Sequence, residues 1–305
     1  MNTLSMSAYS VREHLGPTGF DFVDQEGKPV SIRFDYQKLL DLHEFPARAR
    51  AEFGVDGIEL VQFQFDGFDD PEIDAFAEAL ADSDVQLLNI ALDSGDLLES
   101  DPELRAEHIA ELKRWIARFA EMGSRFVRVN PGSPFSPHHG EEPPAHLVAA
   151  LVELGDFANA HGTRLLVENH GGPSSDPVWM NRLLDAVGRE HLGLLLDLGN
   201  FDALLGVVAA AFFGGEATDP ATVDLSSLYA GIESLADRAE LVHVKAHEVG
   251  EDGSIGHVDL PRALAILAEH GYAGPLTVEY EGNGGDPWAK SARVLDVTRA
   301  ASVAA

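Results

Sequence analysis

Four residues of this chain could share one chemical task. Each lies at or near the end of a strand-forming apolar run: Glu168 in RLLVENHGG, Asp197 in LGLLLDLGN, His243 in ELVHVKAH and Glu279 in PLTVEYEG. Alone, such an acid reads as a helix cap or surface charge, and a lone strand histidine as a core residue. In four successive strands at matching positions they read as a set. Three carboxylates gathered at one mouth are costly to bury unless something positive sits among them. A divalent cation is the simplest compensation. Three oxygens and one imidazole nitrogen suit Mn2+, with Mg2+, Co2+ and Zn2+ as alternatives, and a chain without cysteine has no thiolates for a soft-metal structural site.

The elements that must position these residues follow from periodicity. Short apolar, β-branched runs occupy 3–10, 57–63, 85–92, 125–130, 164–169, 192–200, 240–247 and 275–282, with amphipathic stretches between them. In SDPELRAEHIAELKRWIARFAEMG, Ser100 or Asp101 is a cap and Pro102 suits the first turn. Leu104, Ile109, Leu112, Ile116 and Phe119 fall mostly on one face, and Gly123 marks the stop. EPPAHLVAALVELGDFANAHG is a second helix, closed by Gly162. Strand and helix alternating in this way predict a parallel sheet, and eight units close into one (β/α)8 TIM barrel spanning 1–305. A doubly wound open sheet is the alternative, but no GxGxxG follows the first strand. Alternation along a strand puts His243, Lys245 and His247 on one face and Val242 and Val244 on the other. It likewise groups Thr277, Glu279 and Glu281. The polar sets point to the barrel axis, at the end where the βα loops leave room for a site.

VENHGG, LDLGNF, VHVKAH and VEYEG resemble the motifs of strands five to eight in the xylose isomerase-like TIM-barrel superfamily, the sugar isomerase and epimerase group. That superfamily also contains inosose dehydratases, hydroxypyruvate isomerases and endonuclease IV-type enzymes. SMSAYS, GVDGIEL and RWIARFAEMGSRFVRVNPGS extend the likeness over essentially the whole chain. The resemblance implies that Glu168, Asp197, His243 and Glu279 hold the metal, and that Glu168 and Glu279 are the proton-transferring pair. Two departures stand out. Asn200 lies where many epimerases have a histidine three residues after the strand-six aspartate. In VHVKAHE, Ala246 and His247 follow the lysine where many relatives have an acid.

The chemistry so implied starts with a sugar carbonyl and its neighbouring hydroxyl chelating the metal. The C–H between them becomes acidic and the enediolate is stabilised. A carboxylate on each side can remove the proton and return one, which is isomerisation or epimerisation. If the intermediate expels a β-hydroxyl instead, the same parts make a dehydratase or lyase of an inosose or 3-keto-sugar. Further pocket candidates are His170, Asn200, Lys245, Arg128, Asn130 and His257; Glu59, at the end of the second strand, reads equally as a pocket group or as one behind it. His138 and His139 read as solvated loop residues, and His108 and His161 as structural ones.

Composition narrows the partners. The net charge is −30, from 51 acidic and 21 basic residues, and it repels nucleic acid and anionic lipid. An endonuclease-like activity is therefore disfavoured, and the intact acids speak against an inactive sugar-binding barrel. The expected partner is a small sugar or polyol. No apolar run is long enough to span a membrane and no signal peptide opens the chain, so the expected setting is the cytoplasm. The apolar run Ala203–Gly215 reads as a buried helix, or as a homodimer interface or lid.

Overall fold

Strand β1 (Leu4–Ser7) is shorter than its apolar pattern, because the Ser7 hydroxyl accepts from the Tyr9 amide at 3.3 Å and turns the chain into a 3-10 segment, Ala8–His14. The structure, a computed structural model, describes residues 2–23, 28–132, 142–212 and 223–304. An antiparallel hairpin of β2 (Thr18–Val23) and β3 (Pro29–Phe34), not anticipated from the sequence, comes next. The chain then returns with α1 (Phe45–Phe53) and alternates. Its strands are β4 (Gly57–Val61), β5 (Gln86–Leu92), β6 (Phe126–Val129), β7 (Arg164–Glu168), β8 (Gly193–Asp197), β9 (Ala239–Ala246) and β10 (Leu276–Tyr280). The helices are α2 (Pro71–Ala81), α3 (Pro102–Glu121), α4 (Ala145–Ala160), α5 (Pro177–Val187), α6 (Asp202–Phe212), α7 (Ser226–Leu235), α8 (Leu260–Glu269) and α9 (Pro287–Ala304). Outside the hairpin, the eight strands close into a parallel barrel in the order β1-β10-β9-β8-β7-β6-β5-β4. This is the expected (β/α)8 TIM barrel.

Two apolar regions hold it together. Val127, Val129, Leu165, Val167, Leu194, Leu196, Val242 and Val244 face outward into the large core beneath the helices. Phe126, Leu166, Leu195 and Leu241 form a second, separate cluster. Alternation on β6 to β9 places Arg128, Glu168, Asp197 and His243 two residues further along the same strands, on that second face. The small cluster is thus an apolar floor directly below the charged groups.

The helices pack as their patterns require. Asp101, not Ser100, caps α3 by accepting from the Glu103 amide at 2.8 Å, and Gly123 ends it with φ 82°. The buried face is Leu112, Trp115, Ile116 and Phe119, with Trp115 stacked on Phe119 and Phe68 at 5.1 and 4.0 Å between centroids. Leu104, expected on this face, is 45% exposed. In α6, Leu204 is buried while Leu205, Val207 and Val208 are half-buried. Residues 213–215 of that apolar run, and His138 and His139, lie outside the described residues.

Candidate metal centre and active site

Strand register brings the sequence-distant acids together. Asp197 on β8 is the direct neighbour of His243 on β9, and Lys245 on β9 is the direct neighbour of Glu279 on β10. Among the described residues, Glu168, Asp197 and His243 each offer a ligand atom, and these atoms all lie within 4.8 Å of one another. His243 Nδ1 is 3.2 Å from Glu279 Oε2, 3.6 Å from Asp197 Oδ2 and 3.8 Å from Glu168 Oε1. Glu168 Oε2, Asp197 Oδ2 and His243 Nδ1 are buried and make no aligned hydrogen bond. Buried polar atoms without a hydrogen bond are rare in native proteins, and His243 Nδ1, surrounded by carboxylate oxygens at 3.2 to 3.8 Å, is what a bound cation would satisfy. The donor set of carboxylate oxygens and one imidazole nitrogen fits a borderline-hard divalent ion.

Groups behind the set fix its geometry. His243 Nε2 meets Glu59 Oε2 at 2.9 Å, and the same oxygen accepts from Asn89 Nδ2 at 2.8 Å. The Thr277 hydroxyl donates to the other Glu59 oxygen. Asn169 brackets the Asp197 backbone, donating to its carbonyl and accepting from its amide, each at 2.8 Å. Asp197 Oδ1 accepts from the amides of Gly199 and Asn200 at 2.7 and 3.1 Å, so only Oδ2 is left to face the centre. Arg12 grips the carbonyls of Tyr280, Glu281 and Gly282 at 3.1, 2.9 and 2.9 Å and pins the segment leaving β10.

Two permanent cations enter this acidic site. Lys245, 1% exposed, sets Nζ 2.6 Å from Glu279 Oε2, 2.7 Å from Glu281 Oε1 and 3.1 Å from Asp197 Oδ2. Its stem lies against Gly199, where a Cβ would come within 2.7 Å of Lys245 Cγ. Arg128 sets Nη1 2.5 Å from Asp93 Oδ1, and its Nε lies 2.7 Å from Glu168 Oε2 as an ion pair without hydrogen-bond alignment. Burial opposes ionisation of Asp197 and Glu279, but Lys245 and His243 outweigh it. They hold Asp197 below the ordinary carboxylate value and Glu279 well below it. Burial pushes Glu168 up, and Arg128 offsets only part of that. The two glutamates are thus driven in opposite directions. Burial disfavours a charged His243, yet Glu279 and Glu59 raise it well above its usual value, so ligation through Nδ1 requires a proton to leave.

The pocket candidates fall into two groups. Asn200 Nδ2 donates to Glu168 Oε1 at 3.2 Å, and Arg128 and Lys245 are bound to site carboxylates as above. Asn130 donates to Asp93 at 2.9 Å and accepts from Arg128 at 3.0 Å. His170 is half-buried with Nδ1 unpaired. His257 sits in the β9–α8 loop at φ 66°, with Nε2 3.7 Å from Glu248. His108 and His161 bond backbone oxygens at 3.0 and 2.8 Å. The sequence reading overlooked Asp93 and Asn89, although a strand ending on a carboxylate (NIALD) and a polar residue inside an apolar strand were the available signals. It also missed the rim pair Tyr9 and Phe63, set edge to face at 5.9 Å. A cavity of about 380 Å3 at the opposite end of the barrel, bounded in part by Arg189, Arg238 and Glu240, gathers no comparable set, and its Glu240 is paired with Arg164 at 2.7 Å.

The profile of a family described as xylose isomerase-like TIM barrel matches residues 47–298. The chain belongs to that family. Within the curated proteins it is 28% identical over 136 residues to an inosose isomerase of Halalkalibacterium halodurans, a match covering 43% of this chain and 44% of that protein. The match thus spans less than half the length of that relative. Among solved structures, a D-allulose 3-epimerase from Methylomonas sp. in complex with D-allulose superposes with a TM-score of 0.64 at 16% identity, covering 98% of this chain and 96% of the other. A xylose isomerase-like TIM barrel protein from Mycobacterium smegmatis in complex with magnesium gives a TM-score of 0.57 at 20% identity, covering 83% and 87%. At these identities the structural matches show the shared fold.

Proposed function

We propose that this chain is a sugar isomerase or epimerase that moves a proton on the carbon next to a carbonyl, with a divalent cation as cofactor. The observation that carries this reading is the gathering of Glu168, Asp197 and His243, buried on successive strands with one ligand atom each within 4.8 Å of the others, and with Glu279 Oε2 3.2 Å from His243 Nδ1. The inosose isomerase match and the D-allulose complex of a fold neighbour support it.

Glu168, Asp197, His243 and Glu279 would hold the cation; the donor set favours Mn2+, and the neighbour in complex with magnesium supports Mg2+ as an alternative. When bound, the cation polarises a carbonyl as a Lewis acid. The protein's own groups do the rest. Glu168 and Glu279, on strands across the mouth from one another, would take a proton from the substrate carbon and return one. Arg128 and Asn200 orient Glu168. His170, Asn130 and His257 stand nearer the rim, where substrate hydroxyls would enter, and Tyr9 and Phe63 add apolar faces there.

A net charge of −30 supports an unphosphorylated sugar or polyol over nucleic acid as the partner. No described helix is long and apolar enough to cross a membrane. In the same reading residues 1–305 serve one domain in the cytoplasm, and the half-exposed apolar side of α6 is where two copies would pair.

The test is incubation with Mn2+ and a panel of keto-sugars and inososes in D2O, followed by NMR. Solvent deuterium is expected on the carbon next to the carbonyl. Glu168→Gln and Glu279→Gln are each expected to slow the exchange by about a hundred- to ten-thousand-fold. Water release with the absorbance of an enone would place the chain among the lyases instead.

A further inference from the structure

The ammonium of Lys245 rests on the same two oxygens that the proposed centre needs. Asp197 Oδ2 and Glu279 Oε2 are the atoms turned toward His243 Nδ1, and they are also the atoms 3.1 and 2.6 Å from Lys245 Nζ. A third carboxylate, Glu281 Oε1, receives the same nitrogen at 2.7 Å. Glu281 lies outside the ligand set, two residues beyond Glu279 on the same face, and its side chain is 26% exposed where that of Asp197 is fully buried. The stem of Lys245 is confined by Gly199, so the ammonium has a short path between the dry pair and the wetter Glu281.

A monovalent and a divalent cation that lean on the same two oxygens in a buried site weaken each other's binding, because like charges a few ångströms apart repel there. We propose, building on the metal reading above, that Lys245 is an internal counter-cation which gives up Asp197 and Glu279 when the centre is loaded, and that Glu281 is the carboxylate that retains it. Lys245 stays charged throughout; only its partners change. Until loading, it keeps two buried acids compensated, and this sets the affinity of the centre below what the ligands alone would give.

The test is calorimetric titration of MnCl2 into chelator-treated full-length protein at one pH and ionic strength. Lys245→Met is expected to bind Mn2+ at least about tenfold more tightly than the wild type, since 1.4 kcal/mol of relieved repulsion corresponds to that factor. Lys245→Gln, which keeps a polar stem, is the second variant should the methionine form fold poorly, and should tighten binding in the same direction. Glu281→Gln is expected to weaken binding about tenfold, because the ammonium loses its retreat. In Lys245→Met/Glu281→Gln that weakening should vanish. Unchanged or weaker binding by both Lys245 variants overturns the inference, as does a Glu281 effect that persists without the lysine. Failure of the wild type to bind Mn2+ overturns the metal reading and this inference with it, whereas wild-type binding that is lost in Asp197→Asn and indifferent to Lys245 overturns this inference alone.

Discussion

His243 is held from behind by Glu59, with Nε2 2.9 Å from Oε2, so its other nitrogen is the one presented to the acids of the barrel mouth. Glu59 is itself fixed by Asn89 and Thr277. A carboxylate on the far nitrogen fixes the ring's tautomer and orientation and makes the near nitrogen a better ligand. Glu59→Gln should therefore weaken divalent-metal binding by about 10- to 100-fold while leaving the far-ultraviolet circular dichroism unchanged. Metal affinity within a factor of two of the wild type would show that Glu59 is only a buried acid with satisfied hydrogen bonds.

Arg128 is 4% exposed and is the cation shared by Asp93 and Glu168. Removing one member of a buried ionic group leaves the other charges uncompensated. Arg128→Met is expected to lower the unfolding free energy by about 3–5 kcal/mol, read from urea denaturation. Arg128→Lys should recover part of it, since a point charge cannot reproduce two fixed guanidinium contacts.

Asp93 gives a pH signature with a definite sign. Burial opposes its charge, but Arg128 and then His170 outweigh that and keep its folded-state value below the ordinary one. A carboxyl depressed in the folded state adds stability that is fully present above its unfolded value, about 3.9, and is lost as pH falls through the lower folded value. Acid denaturation of Asp93→Asn should accordingly start from a lower stability at pH 6 and decline less steeply below pH 4. Parallel curves for the two proteins would remove Asp93 from the acid transition.

Gly199 has no left-handed backbone to explain it; the need is space. A Cβ there would come within 2.7 Å of Lys245 Cγ and 3.3 Å of His247 Nε2. Gly199→Ala should cost about 1–3 kcal/mol of stability, as overpacking generally does. It should also displace the lysine stem and so change metal affinity, which an overpacked residue remote from the site would not do.

The barrel was legible in the sequence because each of its strands carries its own apolar run and the helices between them carry caps and stop glycines. Hairpin β2–β3 was not, since it interrupts the βα alternation. The acids of β7, β8 and β10 were visible because each interrupts an apolar run. Their partnerships were not visible. That Lys245 meets Glu279, and Asp197 meets His243, depends on the stagger between neighbouring strands, which no single strand's sequence encodes. Asp93 obeyed the same rule as Glu168 and was passed over because its strand precedes the set of four.

The layer formed by Phe126, Leu166, Leu195 and Leu241 has a last consequence. It makes the barrel a cup and not a pipe. Whatever arrives above the floor must depart by the same rim, so a molecule too wide for that rim can neither reach the acids nor be pushed through, and a bound product bars the next substrate until it leaves.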